Sequence, residues 1–246
     1  MFSRIKDLAL FILLIACTSI NAQEAETPPD GPYFVYYPDS AIQIQGQYLD
    51  GQKSGLWMEF HRNGLINSFF EYKNGKQHGM DVQIDDRGSV VAQLKYVDGV
   101  QHGEQRMYHQ FGRLSKLETF DMGVLNGSFM KFYNNGKKQE EANYSNGQKD
   151  GKAVWFYDNG EPSVEYMYSN GNIEGTMKSY YKEGGVKATG EFENNELNGP
   201  YRTFYASGTI KEEGEYVDGK KNGKWISYSE EGEETEVVKY KMGEVQ

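Results

Sequence analysis

"NGQKDGKAVWFYDNGEPSVEYMYSNGNIEG", residues 146–175, opens and closes on the same letters. Asn-Gly recurs within it at Asn146-Gly147, Asn159-Gly160 and Asn170-Gly171, with Tyr-rich runs between. Recurrence of this kind has to be settled first, because a missed period misassigns the whole fold. Working outward from the stretch, a period of 24 residues divides 31–246 evenly into nine segments. These are 31–54, 55–78, 79–102, 103–126, 127–150, 151–174, 175–198, 199–222 and 223–246, and position 1 is Gly in all nine. Position 10 is Gly in eight, with Ser40 as the exception, and position 21 is Gly in eight, with Asn195 as the exception. The three columns hold 25 of the 29 glycines, so the glycines are in register and do not merely reflect composition.

Two further columns are aromatic. Position 18 runs from Tyr48 to Tyr240 and is Tyr or Phe throughout, and position 6 is Tyr or Phe everywhere except Ile84. The runs between glycines are of strand length and too short for ordinary helices. Asn-Gly and Asp-Gly pairs such as Asn63-Gly64, Asn74-Gly75 and Asp218-Gly219 close many of them. Such pairs tolerate the positive φ of a two-residue hairpin turn. The expected fold is all-β: an elongated, single-sheet antiparallel meander of nine β-hairpins, one per repeat. At about 4.8 Å per strand, eighteen strands span roughly 85 Å. Positions 12, 16 and 18 are apolar where position 17 is polar, as in Ile66, Phe70 and Tyr72 against Glu71. Alternation then puts the two sets on opposite faces, and position 6 is expected to join the apolar one.

"YLDGQKSGLWMEF", Tyr48 to Phe60, has the spacing Y-x-x-G-x-x-x-G-x-W, and Gly199-Tyr201 and Gly223-Trp225 repeat its second half. This resembles the MORN repeat (membrane occupation and recognition nexus). The resemblance is closer to its longer bacterial variant, the building block of the YwqK-type antitoxins. It covers residues 31–246 and implies a repeat scaffold whose motif positions are mainly structural. The chain departs from the pattern at position 3, which is Trp only at Trp57 and Trp225 and is Asp81, Gln105 and Ala153 elsewhere.

Residues 1–22 are of another kind. Arg4 and Lys6 precede the apolar "LALFILLIACTSI", Leu8 to Ile20, which is short for a membrane span and suited to a secretory signal peptide. Cleavage after Ala22 is one expectation. The other is lipoprotein processing, since Leu14-Ile15-Ala16-Cys17 resembles a lipobox and would leave Cys17 lipidated as an anchor. Residues 23–30, "QEAETPPD", form an acidic linker. The expected location is outside the cytoplasm, periplasmic or extracellular, or on the outer membrane as a lipoprotein. Loss of Arg4, Lys6 and Asp7 with the leader takes the formal charge from −10 to −11. An acidic chain without a polybasic cluster disfavours nucleic acid and direct binding to anionic lipid.

No chemistry is spelled out by motif. The chain beyond the leader has no Cys, no G-x-S-x-G, no G-x-x-x-x-G-K-[ST] and no G-x-G-x-x-G. His78 and His102 share position 24 one repeat apart, roughly 9.6 Å, too far to ligate one zinc. "SEEGEETE", Ser229 to Glu236, reads as a charged cap on an open edge. No catalytic residue, metal site or cofactor is expected. The column that invites a functional reading is position 7, next to the aromatic of position 6. There Tyr133, Tyr157, Tyr181 and Tyr205 form a ladder of phenols, and Trp155 is expected beside Tyr157 on the same face. The ladder is either cross-strand packing or a recognition stripe for a protein partner. The other ligand class is carbohydrate or cell wall, because aromatic-and-Gly hairpin arrays also build choline and glucan cages.

Overall fold

The computed structural model describes residues 28–246. The leader, with its Ala22 and Cys17 alternatives, lies outside the described residues. Everything described is strand or turn, in one open antiparallel sheet that proceeds as a meander. Eighteen long strands form nine hairpins, from Gly31–Tyr36 with Ile42–Leu49 to Lys220–Tyr228 with Glu234–Lys241. Five two-residue strands, such as Gln148–Lys149 and Glu196–Leu197, bring the number to 23. Each pairs with the end of the arm before it, as Tyr144 does with Lys149.

The Gly-containing turns are of two kinds, and the expectation of a two-residue turn holds for one. At positions 20 and 21 both residues have positive φ, as in Asn74 (49°) and Gly75 (74°). That is the two-residue turn matched to strand twist. Asn195 fills the Gly place in its turn at φ 70°, which Asn tolerates. At positions 9 and 10 the loop is longer. Gly64 N–H donates to His61 O at 2.9 Å and His61 N–H to Leu65 O at 2.8 Å, while the Asn63 side chain accepts from Leu65 N–H at 3.0 Å.

A bulge recurs in every hairpin between positions 5 and 6. Lys131 pairs with Glu140, but Phe132 then pairs with Lys138, leaving position 13 of the second arm without a partner. The bulge decides which residues share a face. Position 6 does not join the apolar face, contrary to expectation: Tyr108 Oη donates to Gln93 Oε1 at 2.8 Å and Tyr228 Oη to Glu213 Oε1 at 2.9 Å. Gln93 and Glu213 are position 15 residues, so position 6 lies with positions 4, 15 and 17. The opposite face carries positions 1, 3, 5, 14, 16 and 18, and holds the largest fully buried side chains, Trp57 and Gln105.

A single sheet buries an indole by enclosing it among its own neighbours. Trp57 is 1% exposed, with Tyr33, Tyr48 and Tyr72 ring centroids at 5.6, 5.3 and 5.8 Å. Its floor is Gly46, where a Cβ would lie 2.3 Å from the indole. Gly214 is likewise the floor under Trp225 (2.4 Å) and Gly190 under Tyr201 (2.9 Å). Across each junction, position 16 of one repeat meets position 3 of the next. The pairs are Gly with Trp or Tyr at these three junctions, and Phe70 with Asp81, Leu94 with Gln105, Glu118 with Phe129, Ala142 with Ala153 and Tyr166 with Met177 at the others. Where position 3 is not aromatic, position 16 is therefore larger than Gly.

Candidate functional site

The tyrosine row is built at the long turns. Each arm ends at position 6, so position 7 is the first turn residue, and its side chain reaches along the stack to the next hairpin. Tyr133 Oη donates to Phe156 O at 2.7 Å, Tyr157 to Tyr180 O at 2.8 Å, Tyr181 to Phe204 O at 2.6 Å and Tyr205 to Tyr228 O at 2.8 Å. Tyr37 does the same to Phe60 O, and the Nε2–H of His61 and His109 donates to Ile84 O and Phe132 O. Asp85, in the same column, instead accepts from Arg87 N–H and Ser89 N–H of its own turn, at 3.0 and 2.8 Å. The opposite edge is tied by backbone and side chain together, with His102, Glu174 and Asn222 at position 24 accepting from the position 20 N–H of the next hairpin. Position 21 N–H donates to the position 23 carbonyl of the hairpin before, from Gly75 to Lys53 (3.0 Å) through Gly243 to Lys221 (2.8 Å).

The four tyrosines are half-buried, and they border the apolar face rather than a separate polar one. Between the last hairpins they flank a groove of about 680 Å³, with Tyr181, Tyr201 and Tyr205 on its walls. Ser179, Thr203 and Ser227 line its floor one repeat apart, with Lys187 and Lys211 at the bulges. Trp155 sits on this face, edge-on to Tyr166 at 5.9 Å. Each indole face is already taken: Lys53, Lys149 and Lys221 ammoniums stand over Trp57, Trp155 and Trp225 at 4.3, 4.3 and 3.7 Å. Two of these lysines also pair with position 14 carboxylates, Lys149 with Glu140 at 2.6 Å and Lys221 with Glu212 at 2.7 Å.

Further along the same face, Asp81 is 6% exposed. Burial is the main reason its carboxyl holds its proton above the usual carboxylate range, opposed by a hydrogen bond from Gln83 and reinforced by the charge of Glu59. Glu59 comes from strand Gln52–Phe60 and Tyr72 from strand Ile66–Lys73, the latter with a phenol pushed up by burial and then by Glu59 and Asp81. An acid whose folded pKa is raised contributes stability that is fully present below the unfolded value, about 3.9. That contribution is lost as pH rises through the folded pKa. Thermal denaturation between pH 4 and 8 should therefore show a fall with rising pH that Asp81→Asn reduces. A pH profile unchanged in Asp81→Asn would reject this.

The histidines do not converge. His78 Nδ1 is 3.3 Å from Asp98 and His102 Nδ1 is 3.4 Å from Asp121, both exposed. Among the described residues no group of three or more His, Cys, Asp or Glu is placed to hold a metal ion.

Residues 125–146, 149–170, 173–194 and 197–218 match the family described as the MORN repeat variant. Residues 125–218 carry four tandem MORN repeats. The four matched segments start 24 residues apart, and each contains one of Tyr133, Tyr157, Tyr181 and Tyr205. Each MORN segment runs from the end of one two-residue turn to the start of the next, so the long loop with its tyrosine lies inside the unit.

No curated protein matches the chain. Among solved structures, accessory secretory protein 1, 2 and 3 of Streptococcus pneumoniae is 24% identical over 40% of this chain and 19% of that one, at a TM-score of 0.25. The TcdB2-TccC3-Cdc42 complex is 11% identical over 87% of this chain and 14% of that one, at 0.21. The TcdB2-TccC3 structure is 10% identical with the same coverage and score. The chain thus spans under a fifth of the length of these structures, and scores this low carry no argument.

Proposed function

We propose that this MORN array is a non-catalytic, exported scaffold that binds a protein partner along the face bordered by Tyr133, Tyr157, Tyr181 and Tyr205. The observation that supports it most is the anchoring of those phenols to the next hairpin. A ring whose hydroxyl is already fixed has little rotamer freedom left to lose, so it presents contact area at low entropic cost. The groove beside Tyr181 and Tyr205 gives that row relief. An acidic ribbon suits a basic partner, in keeping with an antitoxin-like role. Export rests on the leader, and tethering on Cys17. The carbohydrate reading is weaker, because the indole faces on which a choline or a sugar would stack are capped by the chain's own lysines.

The test separates the rings from their hydroxyls. Tyr157→Phe with Tyr181→Phe should retain partner capture from native envelope extract. Each substitution should lower stability by about 1 kcal/mol, the usual net worth of one hydrogen bond. Ser179→Arg with Thr203→Arg fills the groove without touching an anchoring hydroxyl, and should abolish capture with far-UV circular dichroism unchanged. Capture that survives the arginine pair would reject the contact surface and leave the tyrosines as fasteners of the stack.

A further inference from the structure

Asp81 occupies position 3, where other repeats place an aromatic ring, an apolar Ala153 or Met177, or a satisfied amide. Its Oδ1 is buried and has no hydrogen-bond partner. Gln105, one repeat later at the same position and 1% exposed, shows what a settled polar group looks like there. Its amide accepts from Lys95 N–H at 2.8 Å and donates to Lys95 O at 2.9 Å. Asp81 also helps form the wall of a cavity of about 310 Å³, together with Glu59, Asn67, Ser68, Phe70 and Gln83. Ser68 Oγ donates to Glu59 Oε2 at 3.2 Å. Neither Asp81 nor Glu59 has an ion-pair partner among the described residues, so two carboxyls and an aromatic ring face one small space with no cation against them.

The repeats themselves show what that space is shaped to receive. In two other repeats position 23 is Lys149 or Lys221, and its ammonium sits between a carboxylate (Glu140 or Glu212) and aromatic faces (Trp155 and Tyr168, or Trp225 and Tyr240). In the repeat that precedes Asp81, position 23 is Gln77. Position 14 is Ser68 here, and the carboxyls come instead from Glu59 at position 5 and Asp81 at position 3, with the lysine missing. Lys53, one repeat earlier, is engaged over Trp57 and Tyr72 at 4.3 and 4.9 Å. An isolated buried carboxylate is costly, and a partner ammonium in contact relieves it.

We propose that the Asp81–Glu59 cavity receives a primary ammonium supplied in trans, the side chain of a lysine on a basic protein partner. The ammonium donates to the free Oδ1 of Asp81 and to Glu59, with Phe70 as the aromatic wall, and so makes from outside the same class of carboxylate and aromatic contact that Lys149 and Lys221 make from within, with residues at other repeat positions. This rests on the protein-binding reading above and adds a second contact on the same face, several hairpins from the tyrosine groove.

The test uses the full chain and a lysine-containing hexapeptide, with its Nε-acetylated twin and calcium chloride as comparisons. Calorimetry should give binding of the lysine peptide, weakened about tenfold or more in Asp81→Asn, since removing one member of a desolvated charge pair has large effects. Gln77→Lys should supply the missing ammonium from within, raise the melting temperature and abolish peptide binding. Because Gln77→Lys is expected to stabilise, loss of binding there cannot be put down to unfolding. Equal binding of the acetylated peptide, undiminished binding in Gln77→Lys, or binding of calcium in place of the lysine peptide would each overturn the proposal. Peptide binding is measured without the natural partner, so it can fail while capture through the tyrosine groove succeeds, and the reverse.

Discussion

A single methyl group added at Gly214 should destabilise the C-terminal hairpins by about 1–3 kcal/mol, the usual cost of overpacking. The residue needs no special backbone angle. Its restriction is spatial, because a Cβ there would stand 2.4 Å from the Trp225 indole, which is itself 2% exposed and walled by Tyr201 and Tyr216. Trp225→Ala should cost about 3–5 kcal/mol, as large-to-small core changes do. The informative variant is the pair. Gly214→Leu with Trp225→Gln recreates the Leu94–Gln105 junction found elsewhere in the chain. It should be less damaging than the sum of its single changes, a coupling that a double-mutant cycle in urea, followed by far-UV circular dichroism, would measure. Additivity would mean that positions 16 and 3 are not matched across the junction.

The second large effect is expected at Gln105. Gln105→Met keeps the volume and removes both ends of its amide, stranding the N–H of Lys95 against a buried side chain, while the Lys95 C=O keeps the N–H of His102. That one stranded backbone group costs about 1–3 kcal/mol. Gln105→Glu should do little better, since an ionised carboxylate accepts from the N–H but is a buried charge beside the Lys95 carbonyl, to which it cannot donate. A glutamate variant that becomes as stable as the parent only at low pH, where the protonated acid can donate, would support this account. A methionine variant as stable as the parent would refute it.

Much of the fold was legible because it is written in residues with steric meaning. Gly75 and its counterparts sit where φ is positive, and recurrence every 24 residues forces a meander of hairpins. What period-two alternation misassigns is the face of position 6, because a bulge is invisible in composition: Phe132 pairs with Lys138 instead of Gln139. The same bulge hides the environment of the tyrosines. Position 7 reads as the next strand residue, yet Tyr157 opens a turn and its hydroxyl meets a carbonyl 23 residues onward. Asp81 and Gln105 were visible as departures from Trp at position 3. Which of them is satisfied depends on whether Lys95 N–H and C=O, or nothing, stands opposite, and that is a matter of geometry alone.

Asp85 leaves one gap in the line of fasteners. Its side chain folds back onto its own loop, so the third and fourth hairpins are joined at that edge by the sheet without a side-chain clasp. In a stack where each member holds only its neighbours, thermal motion concentrates at the weakest joint. The softening is confined to that loop row, because the Gln105 amide on Lys95 and the Tyr108 hydroxyl on Gln93 still clasp the fourth hairpin to the third within the sheet.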